Sequence, residues 1–328
     1  MELFALERLR QGKNLLAFSG GSDSTALFYL LLQKQITFDI AIVNYNLRAQ
    51  SKDEVAYAKE LAKKYNKKIF IHECHITPPG IEEKARKIRY QFFETIIKQE
   101  AYNNLITAHQ LNDQFEWFMM QLAKGAGVVE LLGMDPVTPK DGYQIIRPLL
   151  FTPKEEILKF LEQNKIHYFL DSSNLDTTYT RNLFRKEFCD PFMQRFAKGV
   201  QRSLLYLHED KKLLSRKIFS IKKLFIAKRG FNRYQDMRTI DKIFKKLNYL
   251  LSSAQKEEIF KQQSGVIGGK IAFSLAEDFI FISPYTQIKL PKKIKELYRI
   301  NKIPPCIRGY IYKEAIDLIL IDRVLKKM

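Results

Sequence analysis

The sequence predicts an α/β protein: a doubly wound, mostly parallel sheet, followed by a helical connector and a small basic C-terminal domain. Three observations carry this expectation. Short apolar runs alternate with longer helical patterns through the first half of the chain, as βαβ units require. A loop rich in glycine and serine, Ser19 to Ser24, lies between the first apolar run and the first helix. Positive charge is concentrated late: residues 1–200 hold 27 Lys+Arg against 24 Asp+Glu, whereas residues 201–328 hold 28 against 12.

Strands are expected at Asn14 to Phe18, Phe38 to Tyr45, Ile69 to Cys74 and Leu105 to Ala108. Crossover helices are expected at Thr25 to Gln33, Ser51 to Tyr65 and Glu82 to Gln99, each patterned and long enough to return the chain. In such a sheet, ligands bind beyond the carboxyl ends of the strands, so residues just after Phe18, Tyr45, Cys74 and Ala108 should face one crevice. A helix near Leu111 to Leu122 precedes a stretch from Gly125 to Gly142 that reads as loop, and Pro153 opens a helix over Lys154 to Asn164. From Asn182 to about Lys228 the chain reads as helical and increasingly basic.

A chain of 328 residues exceeds the usual growth of one hydrophobic core, so two domains are expected, 1–200 and 201–328. Hydrophobic residues at 46% supply cores and exclude a disordered chain. No apolar run reaches the roughly 18 to 20 residues that span a bilayer, and no signal-peptide organisation is evident. A cytoplasmic protein with no membrane partner is the expectation. Cys74, Cys189 and Cys306 form no CxxC or Cys/His cluster, which argues against a disulfide framework or a zinc site. The late positive charge points to a polyanion.

In Ser19-Gly20-Gly21-Ser22-Asp23-Ser24, paired glycines let backbone approach a ligand, and serine hydroxyls add donors at a helix N-terminus. An anion fits there. The loop lacks the lysine of a Walker A sequence. Asp23 is out of place beside polyphosphate unless a cation accompanies it, which makes it a candidate Mg²⁺ ligand. His109 ends a predicted strand on the crevice side. Asp113 and Glu116 lie three apart on the next helix and share a face, so they could hold Mg²⁺ or a substrate ammonium. Arg86 with Arg89, and Arg181 with Arg185, form pairs able to grip phosphate or carboxylate. Asn174 and Asp176 read equally as turn residues.

Together these residues resemble the PP-loop ATP pyrophosphatases and, among them, the tRNA(Ile)-lysidine synthases. The loop matches the SGGxDS signature. NYNLRAQS from Asn44, the ARKIRY helix from Ala85, the block Ala108 to Trp117, the loop Lys124 to Met134, RPLL from Arg147 and DSSNLDTTYTRNLFR from Asp171 follow in the family's order. Departures are Asn112 for Asp, Trp117 for Thr, Lys124 for Arg, and Asn44 and Tyr45 for patterns that contain His.

The resemblance implies ATP and Mg²⁺ as cofactors, with Ser19, Gly20, Gly21, Ser22, Asp23, Ser24 and His109 at the nucleotide and Asp23 and Asp113 at the metal. It places Asp23, Arg86, Asp113, Glu116 and Arg181 among the reacting groups. It implies ligation of free lysine to C2 of the wobble cytidine of an isoleucine tRNA with a CAU anticodon, through an adenylated cytidine. It also allows a homodimer. A PP-loop tRNA thiolase, or a non-catalytic RNA-binding protein on the same scaffold, are the alternatives. Lys211, Lys212, Arg216, Lys217, Lys222, Lys223, Lys228 and Arg229 read as a basic helix or pair of helices able to follow an RNA backbone.

Overall fold

The structure of the protein, a computed structural model, describes residues 1–47, 50–77, 79–170, 180–214 and 216–328. It divides into two compact units, Met1–Asp210 and Lys211–Met328. The first unit contains α1 (Leu6–Arg10), β1 (Asn14–Ala17), α2 (Ser22–Gln33), β2 (Asp39–Asn44), α3 (Ser51–Lys64), β3 (Ile69–Glu73), α4 (Ile81–Glu100), β4 (Asn104–Ile106) and α5 (Leu111–Leu122). It continues through α6 (Val128–Leu131), β5 (Val137–Pro139), β6 (Gln144–Ile146), α7 (Lys154–Gln163) and α8 (Thr180–Phe184). A π-helical turn, Arg185–Cys189, then leads into α9 (Asp190–Leu214).

The six strands run in the order β3-β2-β1-β4-β6-β5. All neighbours are parallel except the edge pair β5 and β6. The order reverses between β1 and β4, the switch point at which open α/β sheets bind ligands. Side chains alternate along the strands with period two. Leu16, Ile40, Ile42, Ile106 and Ile146 pack with Leu27 and Leu31 of α2, Val55 and Leu61 of α3, and Ile157 and Leu161 of α7. Leu15, Ala41, Leu105 and Ile145 face the other way, onto Phe93, Ile96 and Ile97 of α4. The sheet is thus covered on both faces, as a doubly wound fold requires.

At the amino ends of the strands, three amides share one register row: Asn14 pairs with Asn104, and Asn104 with Gln144. Asn104 Nδ2 donates to Asn14 Oδ1 at 2.7 Å, and Gln144 Nε2 donates to Asn104 Oδ1 at 2.8 Å. Asn14 Nδ2 donates onward to the carbonyls of Leu9 and Thr37, each at 2.8 Å. Asn14 and Asn104 are buried, so this chain satisfies groups that water cannot reach.

The second unit contains β7 (Ile218–Ile221), β8 (Leu224–Lys228), α10 (Arg233–Lys246), α11 (Ser253–Gln262), β9 (Ser264–Ile267), β10 (Ile271–Leu275), β11 (Phe279–Pro284), α12 (Lys292–Ile300), α13 (Pro305–Lys313) and α14 (Leu318–Lys326). Its strands form an antiparallel sheet in the order β7-β8-β11-β10-β9. Leu224, Ile226, Ala272 and Phe281 meet the cluster containing Ile307 and Ile311 of α13. Phe225, Phe273, Ile280 and Ile282 meet Ile240, Ile243 and Phe244 of α10.

Two stretches differ from the sequence expectation. The segment read as loop from Gly125 to Gly142 holds α6 and β5, and β6 follows it. The basic stretch read as one or two helices is the end of α9 followed by the β7–β8 hairpin, which turns at Lys222 with φ +53°. In the hairpin, short apolar runs interrupted by lysines alternate sides of a sheet, a pattern that over so few residues also fits a helix.

Replacing Asn104 by Ala strands the Asn14 carbonyl oxygen and the Gln144 amide. We expect a loss of about 1–3 kcal/mol, the cost of leaving the buried Asn14 oxygen unpaired, with the half-buried Gln144 amide able to turn to water. The urea unfolding midpoint of the N-terminal unit measures it.

Candidate active site

The loop after β1 is held by its own backbone. Gly20, at φ +75°, turns the chain back, and its carbonyl accepts from Phe169 N at 3.0 Å and Thr25 Oγ1 at 3.2 Å. Ser19 N donates to Ser24 Oγ at 3.2 Å, and the Ser19 and Ser24 hydroxyls lie 3.1 Å apart. Gly21 caps α2 and has no side chain to accept from the first-turn amides. Its φ of −72° suits any residue, and an added Cβ would find only Ser19 Oγ, at 3.6 Å. The missing side chain therefore serves approach by a ligand rather than the turn.

Beyond the strand ends lies a cavity of about 810 Å³, a volume suited to a nucleotide. Its polar wall carries Ser19, Gly21, Ser22, Asp23, Ser24, His109, Asp113 and Lys154, and Val43, Tyr45, Tyr90 and Phe93 line it with apolar and aromatic surface. Lys154 Nζ donates to Asp23 Oδ1 at 2.6 Å and to Ser22 Oγ at 2.7 Å. Burial pushes the Asp23 carboxyl above its ordinary range, and Lys154 opposes that shift. Burial pushes His109 down to about 4, with Asp113 opposing and Arg147, Arg89 and Arg181 adding to the depression. Its Nδ1 lies 3.0 Å from Thr107 Oγ1.

Asp113 and Glu116 face α8 and the turn after it. Arg181 Nη2 donates to Asp113 Oδ1 and Arg181 Nε to Glu116 Oε2, both at 2.7 Å. Arg185 Nε donates to Glu116 Oε1 at 2.6 Å. Burial disfavours both guanidinium charges, but the carboxylates outweigh it and hold their pKa values above the usual range. Asp113 also serves the helix: its Oδ2 accepts from Gln110 N at 3.1 Å in a capping box.

Of the residues picked from sequence, Ser19 and Gly21 to Ser24 of the loop, His109 and Asp113 converge on the cavity, while Gly20 makes the turn behind them. Glu116, 3% exposed, and Arg181 stand behind Asp113 rather than on the wall. Arg86 is exposed and lies over the Tyr90 ring at 5.0 Å, whereas Arg89, one turn on, lines the cavity. Asn174, Asp176 and Arg48 lie outside the described residues. Sequence reading missed Lys154. The available signal was a lysine in the first turn of a helix, where the macrodipole disfavours a cation.

Residues 2–191 match the PP-loop domain. A tRNA(Ile)-lysidine synthase of Campylobacter jejuni is 46% identical over 320 residues, 97% of each chain. The chain belongs to the tRNA(Ile)-lysidine synthase family. The synthase of Helicobacter pylori is 40% identical over 94% of this chain and 92% of its own. The U34-tRNA thiolase of Methanococcus maripaludis, a solved structure, aligns with a TM-score of 0.50 at 20% identity, over 61% of this chain and 71% of its own, a likeness in fold alone.

Within this family two departures now have physical accounts. Asn112 accepts the backbone N–H of Lys154 through Oδ1 at 3.2 Å, tying α5 to the start of α7. Trp117 donates through Nε1 to the Glu130 carbonyl at 2.9 Å and fills space beside Gly133, where an added Cβ would meet the indole at 2.3 Å. For Lys124 the structure gives no account.

His109 is expected to stay neutral through the physiological range, with its imidazole signals titrating near 4 by NMR. The unfolded chain binds that proton at about 6.5. The stability contribution is therefore whole above about 6.5 and is lost as the pH falls through about 4. A His109→Gln variant should lose part of the acid sensitivity.

Proposed function

We propose that the protein uses ATP to ligate lysine to C2 of the wobble cytidine in an isoleucine tRNA with a CAU anticodon. The observation that carries this reading is 46% identity to a tRNA(Ile)-lysidine synthase over nearly the whole chain, with the loop and both cavity aspartates in place. In the first step cytosine O2 attacks the α-phosphorus of ATP, the bond to the β-phosphate oxygen breaks, and pyrophosphate leaves. In the second the neutral ε-amine of lysine adds at C2, the C2–O bond breaks, AMP leaves, and the amine proton passes to solvent or a base.

The loop Ser19 to Ser24 holds the leaving pyrophosphate through backbone amides and hydroxyls. Asp23 and Asp113 offer the oxygen donors that Mg²⁺ prefers. Among the described residues no group of three His, Cys, Asp or Glu could hold a metal, which fits an ion bound by one or two carboxylates together with phosphate. Mg²⁺ bound there would offset charge on the phosphates. Asp113 keeps lone pairs beyond the two bonds it accepts, so it can orient the lysine amine. The second unit holds 27 Lys+Arg against 10 Asp+Glu, a surplus suited to tRNA phosphates.

Sulfur transfer is disfavoured by the thiols themselves. Cys189 is buried with its thiol pushed up to about 12, and burial also raises Cys74 and Cys306, the opposite of a reactive thiolate. Among the described residues no helix is long and apolar enough to cross a membrane. Light scattering reads whether two chains pair.

The test incubates the protein with ATP, Mg²⁺, radiolabelled lysine and the CAU isoleucine tRNA, with methionine tRNA as control. Label is expected on the isoleucine tRNA alone. Asp23→Ala and Asp113→Ala should each slow incorporation about 10²-fold or more, the scale of several kcal/mol of lost charge stabilisation. ATP hydrolysis on adding RNA without fixation of lysine would reject the lysine assignment.

A further inference from the structure

The loop Ser19 to Ser24 has no lysine, yet the reaction proposed above needs a cation where pyrophosphate departs. We propose that Lys154, delivered from α7, is a catalytic residue that binds the β- and γ-phosphates of ATP and offsets the charge gained as pyrophosphate leaves. This rests on the ATP-dependent reading of the site.

Four observations support it. Lys154 Nζ already lies at the loop, 2.7 Å from Ser22 Oγ and 2.6 Å from Asp23 Oδ1, on the cavity wall. Its ammonium has three donors, and these two contacts leave a third for a phosphate oxygen. Its backbone is fixed: Lys154 N donates to Asn112 Oδ1 at 3.2 Å, Leu111 N donates to the Thr152 carbonyl at 3.0 Å, and Ile157 and Leu161 anchor α7 in the core. Its place in the helix is unfavourable, because a cation in the first turn opposes the macrodipole, whereas Glu155 and Glu156 beside it follow the rule. A residue that breaks a local preference while its neighbours obey it marks a functional position.

A structural ion pair does not account for Lys154 equally well. The side chains of Lys154 and Asp23 each keep 29% of their surface open on the cavity wall, so the pair is only partly desolvated, and the cost of that desolvation, felt at Asp23, offsets much of what the pair adds to stability. Its electrostatic effect on the loop is larger. Asp23 alone would repel a polyphosphate, whereas the Asp23–Lys154 pair presents no net charge and leaves Asp23 Oδ2 for a metal ion. As the bond between the α-phosphorus and its bridging oxygen breaks, the electron pair stays with pyrophosphate, and the Lys154 ammonium donates to that growing anion.

The test compares the whole protein with Lys154→Ala, Lys154→Met and Lys154→Arg, titrated calorimetrically with adenosine, AMP, ATP and pyrophosphate at fixed Mg²⁺. Lys154→Ala and Lys154→Met are expected to weaken ATP and pyrophosphate roughly 10- to 100-fold, as loss of a charge-assisted bond predicts, with adenosine unchanged and Lys154→Arg restoring much of the loss. In an Asp23→Asn background, Lys154→Met should still weaken pyrophosphate. Equal weakening of adenosine and ATP, no weakening at all, or disappearance of the effect without the Asp23 charge would each overturn the assignment. The titrations contain neither lysine nor RNA, so failure of lysine ligation leaves this outcome intact.

Discussion

A parallel sheet delivers all its strand ends to one side, and the site depends on that constraint. β1, β2 and β4 stop within three residues of Ser19, Tyr45 and His109, and the reversal of order between β1 and β4 opens the space between them. α2 and α5 start just beyond, so their first turns, carrying Asp23 and Asp113, face the same cavity. At the opposite end the row Asn14, Asn104 and Gln144 locks β1, β4 and β6 in register. A one-residue slip would turn every strand side chain to the wrong face, so the buried amides fix the geometry that the loops inherit.

Charge within the first unit is arranged in compensated groups. Glu116, almost fully buried, meets two guanidinium groups, an arrangement that offsets the desolvation of all three through short hydrogen bonds. Asp23 meets Lys154, and His109, buried and with arginine charges adding to the effect, gives up its proton instead. The cavity thus tolerates several carboxylates beside a polyanionic ligand because none of them faces it with an uncompensated charge.

Much of this was legible in the sequence because the first unit obeys strong local rules. Apolar runs of four to six residues flanked by patterned helices left little freedom for β1 to β3 or α2 to α5, and the glycines of the loop marked the ligand end of β1. β5 and β6, three residues each, lie in and beside a Gly- and Pro-rich stretch that reads as loop, whereas the equally short β4 stands out because its apolar run follows a patterned helix. The hairpin after α9 was read as helix for a related reason: IFSIKKLFIAK satisfies both periods over so short a span. Arg89 and Arg86 differ by less than one helical turn, and only the packing of α4 on the sheet decides which reaches the cavity. Lys154 lies some 130 positions from its partners, and its unfavourable place in a first turn marks it as unusual without saying what it meets.

The Asp113–Arg181 contact bears on how lysine reacts in the proposed second step. The attacking ε-amine must be neutral, yet a bare carboxylate beside it would hold the ammonium form by opposite-charge attraction. Arg181, whose charge is permanent, occupies one oxygen of Asp113 and shares Glu116 with Arg185, so the carboxylates already have their counterions. The remaining lone pairs of Asp113 can still accept a hydrogen bond from an amine and so orient it. In the proposed step, Asp113, with its negative charge answered by Arg181, would position the nucleophile without locking it in its unreactive form. The arginines of α8 and the following turn thereby give the paired carboxylates a role that neither their spacing nor their identity specifies.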